Sequence, residues 1–533
     1  MDLSAAYDSI DRDLLFAKLK HRGMSDHSIN TLKHLYQNTT CIVKCDQGGS
    51  ARFSVRIGLR QGCPLSTTLF NLYIWDLHQH LTSDVQGAGV MLQGEDDSQL
   101  LVTDLEYADD AALCASNPQQ LQNLINSFVA YCDKHGLTVN PSKCEVVVFA
   151  KNCRAWSGFG DWKVKGKALP RSRKFKYLGV ELHDVTGTKG SVEHRLSCMI
   201  AAHSAVSRRL NDMQCPKDPG LVADLFDTIT AAAGSYGCEV WSTPFLAGWH
   251  LRDCTLQRFQ AAVYKQALKL PRSTSNLLVF LEMGRYPMQI QWLQRTLSYW
   301  NKLVANKANS ELLDFVLAAE VWQGLHKDHD CWAKELLEGL RFVDPSKDWL
   351  THMQQLMPIE NPKGVAGLAK QKFADSYREF DSDPTDPECP HRQRSTYCHL
   401  MHHADGSGLL VPPAYISADM PLAQKKAIAA VRLAAAPIEC NTKHGVTYTN
   451  RKCQRCGTGV DNEHHLLFEC SHVALVASRS KHMTLFDGVS GVREWMVAAY
   501  KPELAATLGS CMQDMMHGLK TGLDGQPNVT PAS

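Results

Sequence analysis

The chain has 533 residues, 44% hydrophobic and 21% charged, ordinary values for a globular protein with room for about two to four domains. With 56 basic and 55 acidic residues it has no overall charge that would mark it as a polyanion binder, so any electrostatic footprint must be local. No apolar run of about 18 residues marks a transmembrane helix, the polar start from Asp2 does not read as a signal peptide, and the 19 cysteines are scattered like reduced thiols; a soluble nuclear or cytoplasmic protein is expected.

In chain order, Asp2-Leu3-Ser4-Ala5-Ala6-Tyr7-Asp8 places two carboxylates within seven residues. Leu14, Leu15 and Leu19, then Ile29, Leu32, Leu35 and Tyr36, recur at helical spacing. Cys41–Cys45 and Ala51–Ile57 are strand candidates. Gly58-Leu59-Arg60-Gln61-Gly62-Cys63-Pro64-Leu65-Ser66 holds a turn, and Ser66 is expected to cap a helix with Leu65, Leu69, Leu72, Tyr73 and Leu77 on one face.

Leu100, Leu101 and Val102 precede Glu106-Tyr107-Ala108-Asp109-Asp110, and Ala111, Leu113 and Cys114 follow, so two adjacent carboxylates are expected at the tip of a tight hairpin. Leu121, Leu124, Ile125, Phe128, Val129 and Cys132 form the apolar face of the next helix, which ends at Gly136. Lys143 then leads into a strand over Cys144–Ala150. This β-α-β-β-α-β order fits an α+β domain, an antiparallel sheet with helices on one face.

From Lys163 to Lys176 there are seven basic residues and no acidic one, which reads either as a solvated hairpin or as a phosphate-contacting strip. Amphipathic helices are expected near 190–212, 219–234, 250–268 and 285–305. Residues 306–435 are mixed, with a Pro-rich acidic linker at 379–390, and the tail from about Thr521 is Gly/Pro/Asn-rich. Cys453-x2-Cys456-x8-His465-x4-Cys470 has the spacing of a tetrahedral zinc site, with His464 an adjacent alternative ligand. The looser set Cys389, His391, Cys398 and His402 fits no standard site.

The ordered palm segments resemble the reverse transcriptases of non-LTR (LINE-type) retrotransposons, as do Tyr236-Gly237-Cys238-Glu239-Val240-Trp241, Leu281-Glu282-Met283-Gly284-Arg285-Tyr286-Pro287 and the knuckle His465-Leu466-Leu467-Phe468-Glu469-Cys470. The resemblance implies a palm over 1–185, a helical thumb over 186–305, a connector over 306–435, a zinc module over 436–475 and a tail over 476–533. It implies that Asp2, Asp109 and Asp110 hold two Mg²⁺ ions, and that Lys143 meets the departing pyrophosphate. Tyr7 would lie beneath the deoxynucleotide sugar, and Asp8 would support the turn. Gln61 and Gly62 would lie against nucleotide and template, with Gly62 allowing close backbone approach. Tyr177, Leu178 and Gly179 would grip the primer end. Thr67, where the family commonly has proline, is expected to be tolerated.

The partners implied are an RNA template, a DNA primer and deoxynucleotides, with no membrane. Because only Met1 precedes Asp2, the strand that should carry this aspartate has no room, and the chain is expected to be a fragment with impaired activity. The alternative class is an inactive retroelement remnant that binds nucleic acid through its thumb and knuckle.

Overall fold

The computed structural model describes residues 1–45, 48–149, 160–215, 217–327, 329–376, 410, 412–442, 446, 448–489 and 491–521. The acidic stretch 379–390, the set Cys389, His391, Cys398 and His402, and the tail beyond Thr521 lie outside them. The chain divides into two compact units. One is Met1–Gly187 with Lys307–Gln323; the other is Thr188–Asn306 with the described residues from Gly324 onward, so the stretch 306–435 contributes to both. No helix among the described residues is long and apolar enough to cross a membrane.

The first unit is built on capped helices. Asp11 accepts the amides of Asp13 and Leu14, starting a helix over Arg12–His21 that buries Leu15, Phe16 and Leu19. Ser25 caps the next helix, Asp26–Gln37, and Asn117 caps the helix Pro118–Lys134, whose buried face includes Leu124, Ile125, Phe128 and Cys132. Ser66, expected to be a cap, is not one. Pro64 already supplies the helical φ at the first position, so the helix Pro64–Ile74 starts earlier, with Cys63 at its N-cap. The Ser66 hydroxyl instead donates to the carbonyl of Arg60 at 2.7 Å and closes the preceding turn. Leu65 is exposed and Leu77 belongs to the following helix, Leu77–Asp84; the buried face is Leu69, Phe70, Tyr73 and Ile74.

In place of the expected single antiparallel sheet with helices on one face, the described residues form eight separate two-stranded pairs, seven antiparallel and one parallel. Leu3–Ser4 pairs antiparallel with Thr138–Val139, Asp104–Tyr107 with Asp110–Leu113, Val90–Gln93 with Gln99–Val102, and Lys174–Tyr177 with Val180–His183. Val146–Val147 runs parallel to Arg171–Ser172. The strands are two to four residues long, too short to build one continuous ladder. The expected strands at Cys41–Cys45 and Ala51–Ile57 shrink to the exposed pair Thr40–Cys41 with Phe53–Ser54 and the pair Lys44–Cys45 with Gly48–Gly49.

The second unit is helical. Its long elements are Ser191–Asp212, Thr255–Ala267 and Met288–Asn306, and the stretch from 219 to 234 is a continuous run with one π turn at Phe226–Thr230. The two sequence segments that resembled thumb signatures are packing hubs here. Trp241 is fully buried, donates its indole to the carbonyl of Tyr236 at 3.0 Å and meets Trp292 edge-on; Glu239 pairs with Arg295 at 2.7 Å. Glu282 and Arg432, both with fully buried side chains, pair through two hydrogen bonds of 2.6 and 3.0 Å, and the Tyr415 hydroxyl donates to Glu282 at 2.7 Å.

A buried pair of this kind is worth most through what its loss leaves behind. Arg432→Met is expected to destabilise the second unit by about 3–5 kcal/mol, because an uncompensated carboxylate stays buried. Chemical unfolding of the single variant and of Glu282→Met/Arg432→Met checks this: the double variant should recover most of the loss.

Candidate active site and metal centre

The two ends of the carboxylate set are joined by main-chain bonds. The amino group of Met1 donates to the carbonyl of Ala111 at 2.6 Å, and the amide of Ala111 returns a bond to the carbonyl of Met1 at 3.4 Å. Reciprocal bonds between one residue pair are the narrow pair of an antiparallel ladder, which sets Asp2 opposite Asp110. On the other side, the amide of Asn140 donates to the carbonyl of Asp2 at 2.9 Å. The Met1–Ser4 segment therefore runs between the hairpin strand and the strand that precedes Lys143.

Asp109 sits in the hairpin turn between Tyr107 and Asp110, which face each other across the pair. Ala108, beside it, has φ +54°, a left-handed conformation that costs a non-glycine residue on the order of 1–2 kcal/mol. Asp109 and Asp110 are exposed. Asp2 is half-buried, and its Oδ1 is shielded from solvent without a hydrogen-bond donor; its nearest cation is the Lys143 ammonium, 4.0 Å away. A shielded carboxylate oxygen with no donor is unfavourable unless a cation occupies the space beside it. The three aspartates suit hard, oxygen-seeking ions. They do not close to the mutual 4.8 Å spacing that the cysteine–histidine set below reaches.

The segment around Gln61 is zipped to the segment around Tyr7. The amide of Leu59 donates to the carbonyl of Tyr7 at 2.7 Å and that of Gly58 to Ile10 at 2.8 Å; Gln61 Nε2 reaches Asp8 Oδ2 at 3.1 Å. The close backbone approach expected at Gly62 occurs at Gly58. A Cβ on Gly58 would lie 2.7 Å from the Asp8 carbonyl oxygen, and its φ is +82°, whereas Gly62 faces open space. Tyr7 is half-buried, its ring stacked on Phe70 at 4.9 Å.

Arg12, which the sequence did not single out, fixes this region from behind. It donates to the carbonyls of Gly58, Val55, Ile57 and Tyr36 at 2.8 to 3.3 Å, and its guanidinium lies over the Tyr36 ring. A lone arginine in a first helical turn carries no signal of that role.

Tyr177-Leu178-Gly179-Val180 is a two-residue hairpin turn with positive φ at both Leu178 and Gly179, the turn whose twist matches its strands. Burial raises the Tyr177 phenol, and the charge of Asp110 adds to it, which puts this tyrosine within electrostatic reach of the carboxylates. Of the basic stretch, Lys165 pairs with Asp133 at 2.6 Å, Arg173 with Asp184 at 3.1 Å and Lys174 with Glu181 at 3.2 Å, so part of the strip is neutralised locally.

In the second unit, Cys453, Cys456, His465 and Cys470 bring their ligand atoms within 4.8 Å of one another, the one such set among the described residues. Cys453 Sγ lies 3.8 Å from Cys470 Sγ, and Cys456 Sγ lies 3.2 Å from His465 Nε2. His465 is buried while the His464 side chain is nearly half exposed, so the imidazole among the thiols belongs to His465. Its Nδ1 faces Glu469 Oε2 at 3.4 Å, the partnership that orients metal-binding histidines. Gly459 lets the chain pass: a Cβ there would lie 2.7 Å from His465 Nδ1, and its φ is +69°. Burial would raise the Cys456 thiol, but hydrogen bonds with Thr458 and His465 outweigh it and bring it down to about 6, whereas burial pushes Cys453 up to about 12. Four soft and borderline donors converging in this way fit tetrahedral zinc.

Residues 1–182 match the reverse transcriptase (RNA-dependent DNA polymerase) family. Over 215 residues the chain is 24% identical to the retrovirus-related Pol polyprotein from type-1 retrotransposable element R2 of Popillia japonica, covering 36% of this chain and 32% of that protein. It is 27% identical over 194 residues to the transposon TX1 uncharacterized 149 kDa protein of Xenopus laevis, covering 34% and 13%. To the RNA-directed DNA polymerase from mobile element jockey of Drosophila funebris it is 23% identical over 239 residues, covering 42% and 24%. The matches thus span about a third or less of these relatives' length. Residues 1–182 are similar to reverse transcriptases, and the relatives they resemble are proteins of non-LTR retrotransposons.

Proposed function

We propose that this chain is an RNA-directed DNA polymerase of a LINE-type element, extending a primer 3′-hydroxyl on an RNA template. The observation that carries the reading is the reciprocal Met1–Ala111 pair, which sets Asp2 beside the Asp109–Asp110 turn and leaves Asp2 Oδ1 without a donor. In this reading residues 1–185 are the palm, 186–305 the thumb, 306–435 a connector, 436–475 a zinc module and 476–533 a tail.

Asp2, Asp109 and Asp110 would hold two Mg²⁺ ions, which when bound supply an activated attacking oxygen and charge stabilisation at the leaving group. Lys143, beside Asp2, carries a positive charge to the departing pyrophosphate and can give it a proton. Tyr7, backed by Phe70, presents a ring edge where a ribose 2′-hydroxyl would clash. Gln61 and Gly62, fastened to Asp8 and Tyr7 by the zipped segment, line the nucleotide and template side. Tyr177, Leu178 and Gly179 hold the primer end from the neighbouring hairpin. Cys453, Cys456, His465 and Cys470 would hold a structural zinc ion, which when bound would cross-link the chain between 453 and 470.

Primer extension on an RNA template with Mg²⁺ tests the catalytic assignment. Asp109→Ala is expected to abolish template-dependent incorporation, a loss on the order of 10³-fold or more for removing a metal ligand. Incorporation that survives the substitution contradicts the assignment.

Zinc content tests the second site. The protein is expected to release about one equivalent of zinc per chain to a chromophoric chelator, Cys470→Ala to hold none, and both Cys470→Ala and chelator-treated protein to unfold at lower temperature. His464→Ala should keep its zinc; loss of zinc from that variant would shift the ligand from His465 to its neighbour.

A further inference from the structure

Within the second unit, two cavities share a wall on the helix Thr255–Ala267. The larger, about 910 Å³, is lined by Arg252, Arg258, Lys265, Lys269 and Arg272 and by no carboxylate. Arg252, Arg258, Lys269 and Arg272 are exposed and form no ion pair among the described residues. Lys265 is 8% exposed; its ammonium donates to the carbonyl of Arg272 at 3.0 Å and to Asn276 Oδ1 at 2.6 Å, pinning the loop that presents Arg272. Thr274, 2% exposed, also lines this cavity, and its hydroxyl is buried without a hydrogen-bond partner. Five cations around one concave surface repel one another, and a cleft of one sign concentrates ligands of the other.

The smaller cavity, about 340 Å³, adjoins the larger, with Gln266 and Lys269 lining both. Its walls are apolar, with Leu210, Val222, Leu225, Phe226 and Val263. Its charged lining is cationic, Lys217, Lys269 and Lys426, again with no carboxylate. His203 lines it too, and His203 Nδ1 is buried without a partner. Burial lowers the His203 and Lys426 pKa values, with the neighbouring Lys217 and Lys269 charges acting in the same direction.

We propose that this pair of cavities binds a single strand of nucleic acid, its phosphates along Arg252, Arg258 and Arg272 and one unpaired base in the apolar cavity beyond Lys269. A lone phosphate would engage two or three of these cations and would leave the apolar cavity without a role. A duplex keeps its bases stacked inside and could use the cleft alone. A single strand supplies both a line of charge and a flat apolar group, with His203 Nδ1 available to the edge of the base. The cavities are lined by residues of the second unit and the Asp2, Asp109 and Asp110 carboxylates belong to the first, and binding at the cavities is read without polymerase activity.

Fluorescence anisotropy of the full chain with a labelled single strand of roughly 12 nucleotides, and with the duplex of the same sequence, tests this. Arg252→Glu/Arg258→Glu/Arg272→Glu alters exposed, unpaired side chains and is expected to fold; Arg252→Gln/Arg258→Gln/Arg272→Gln is the milder companion. Each should weaken single-strand binding by about tenfold or more and reduce the slope of log Kd against log salt by about 2, at about 0.7 for each phosphate that no longer meets an arginine. Ala267→Trp, which fills the apolar cavity, should weaken the single strand several-fold and leave the duplex unchanged. Asp109→Ala should bind like the parent, so failure of catalysis and failure of this site read out separately. Unchanged affinity and salt slope in both arginine variants would overturn the proposal. Equal losses for single strand and duplex in Ala267→Trp would overturn the base pocket. A 4-thiouridine strand should crosslink within residues 203–276; crosslinks confined to residues 1–187 would also overturn it.

Discussion

The amino group of Met1 and the amide of Ala111 each donate to the other residue's carbonyl, and that exchange is what the first unit depends on for chemistry. It sets the register that puts Asp2 opposite Asp110, and a slip of one residue would turn the Asp2 side chain to the other face. The same short segment pairs Leu3 with Val139 on its far edge, so the chain leaving Val139 turns at once and brings Lys143 to 4.0 Å from Asp2. Residues about 110 and 140 positions apart in sequence are thus brought to one place by a few main-chain bonds.

A second constraint surrounds that centre. Gly58 passes so close to Asp8 that any side chain would collide with its backbone, and Arg12 holds the carbonyls on either side of the crossing. Gln61 is then delivered to Asp8 rather than left on a free loop. The strain at Ala108 fits the same pattern, a left-handed residue tolerated where the neighbouring strands fix both ends of a turn.

Local chemistry made some of this legible in the sequence. The hairpin tip at Asp109, the apolar face from Leu121 to Cys132 and the Cys453–Cys456 spacing each rest on residues near one another in the chain, where periodicity and turn chemistry act. What stayed hidden depends on distant partners. Arg12 reads as an ordinary helical cation until the carbonyls of Val55, Ile57 and Gly58 surround it. Glu282 reads as part of a signature segment, and only Arg432, 150 positions on, reveals it as half of a buried pair. Ser66 misled because serine favours caps, and Pro64 had already started the helix. The basic cleft was invisible because Arg252, Arg258 and Arg272 are scattered over two loops and a helix, with no run to notice.

The central claim is that Asp2, Asp109 and Asp110 act together as one divalent-ion site created by the Met1–Ala111 register. Counting bound Mn²⁺ by electron paramagnetic resonance, with primer–template and a non-hydrolysable deoxynucleotide present, tests it most directly. The account predicts two bound ions in the parent chain and loss of at least one in both Asp2→Asn and Asp109→Asn, with zinc content unchanged. Equal Mn²⁺ occupancy in the parent and both variants would contradict it.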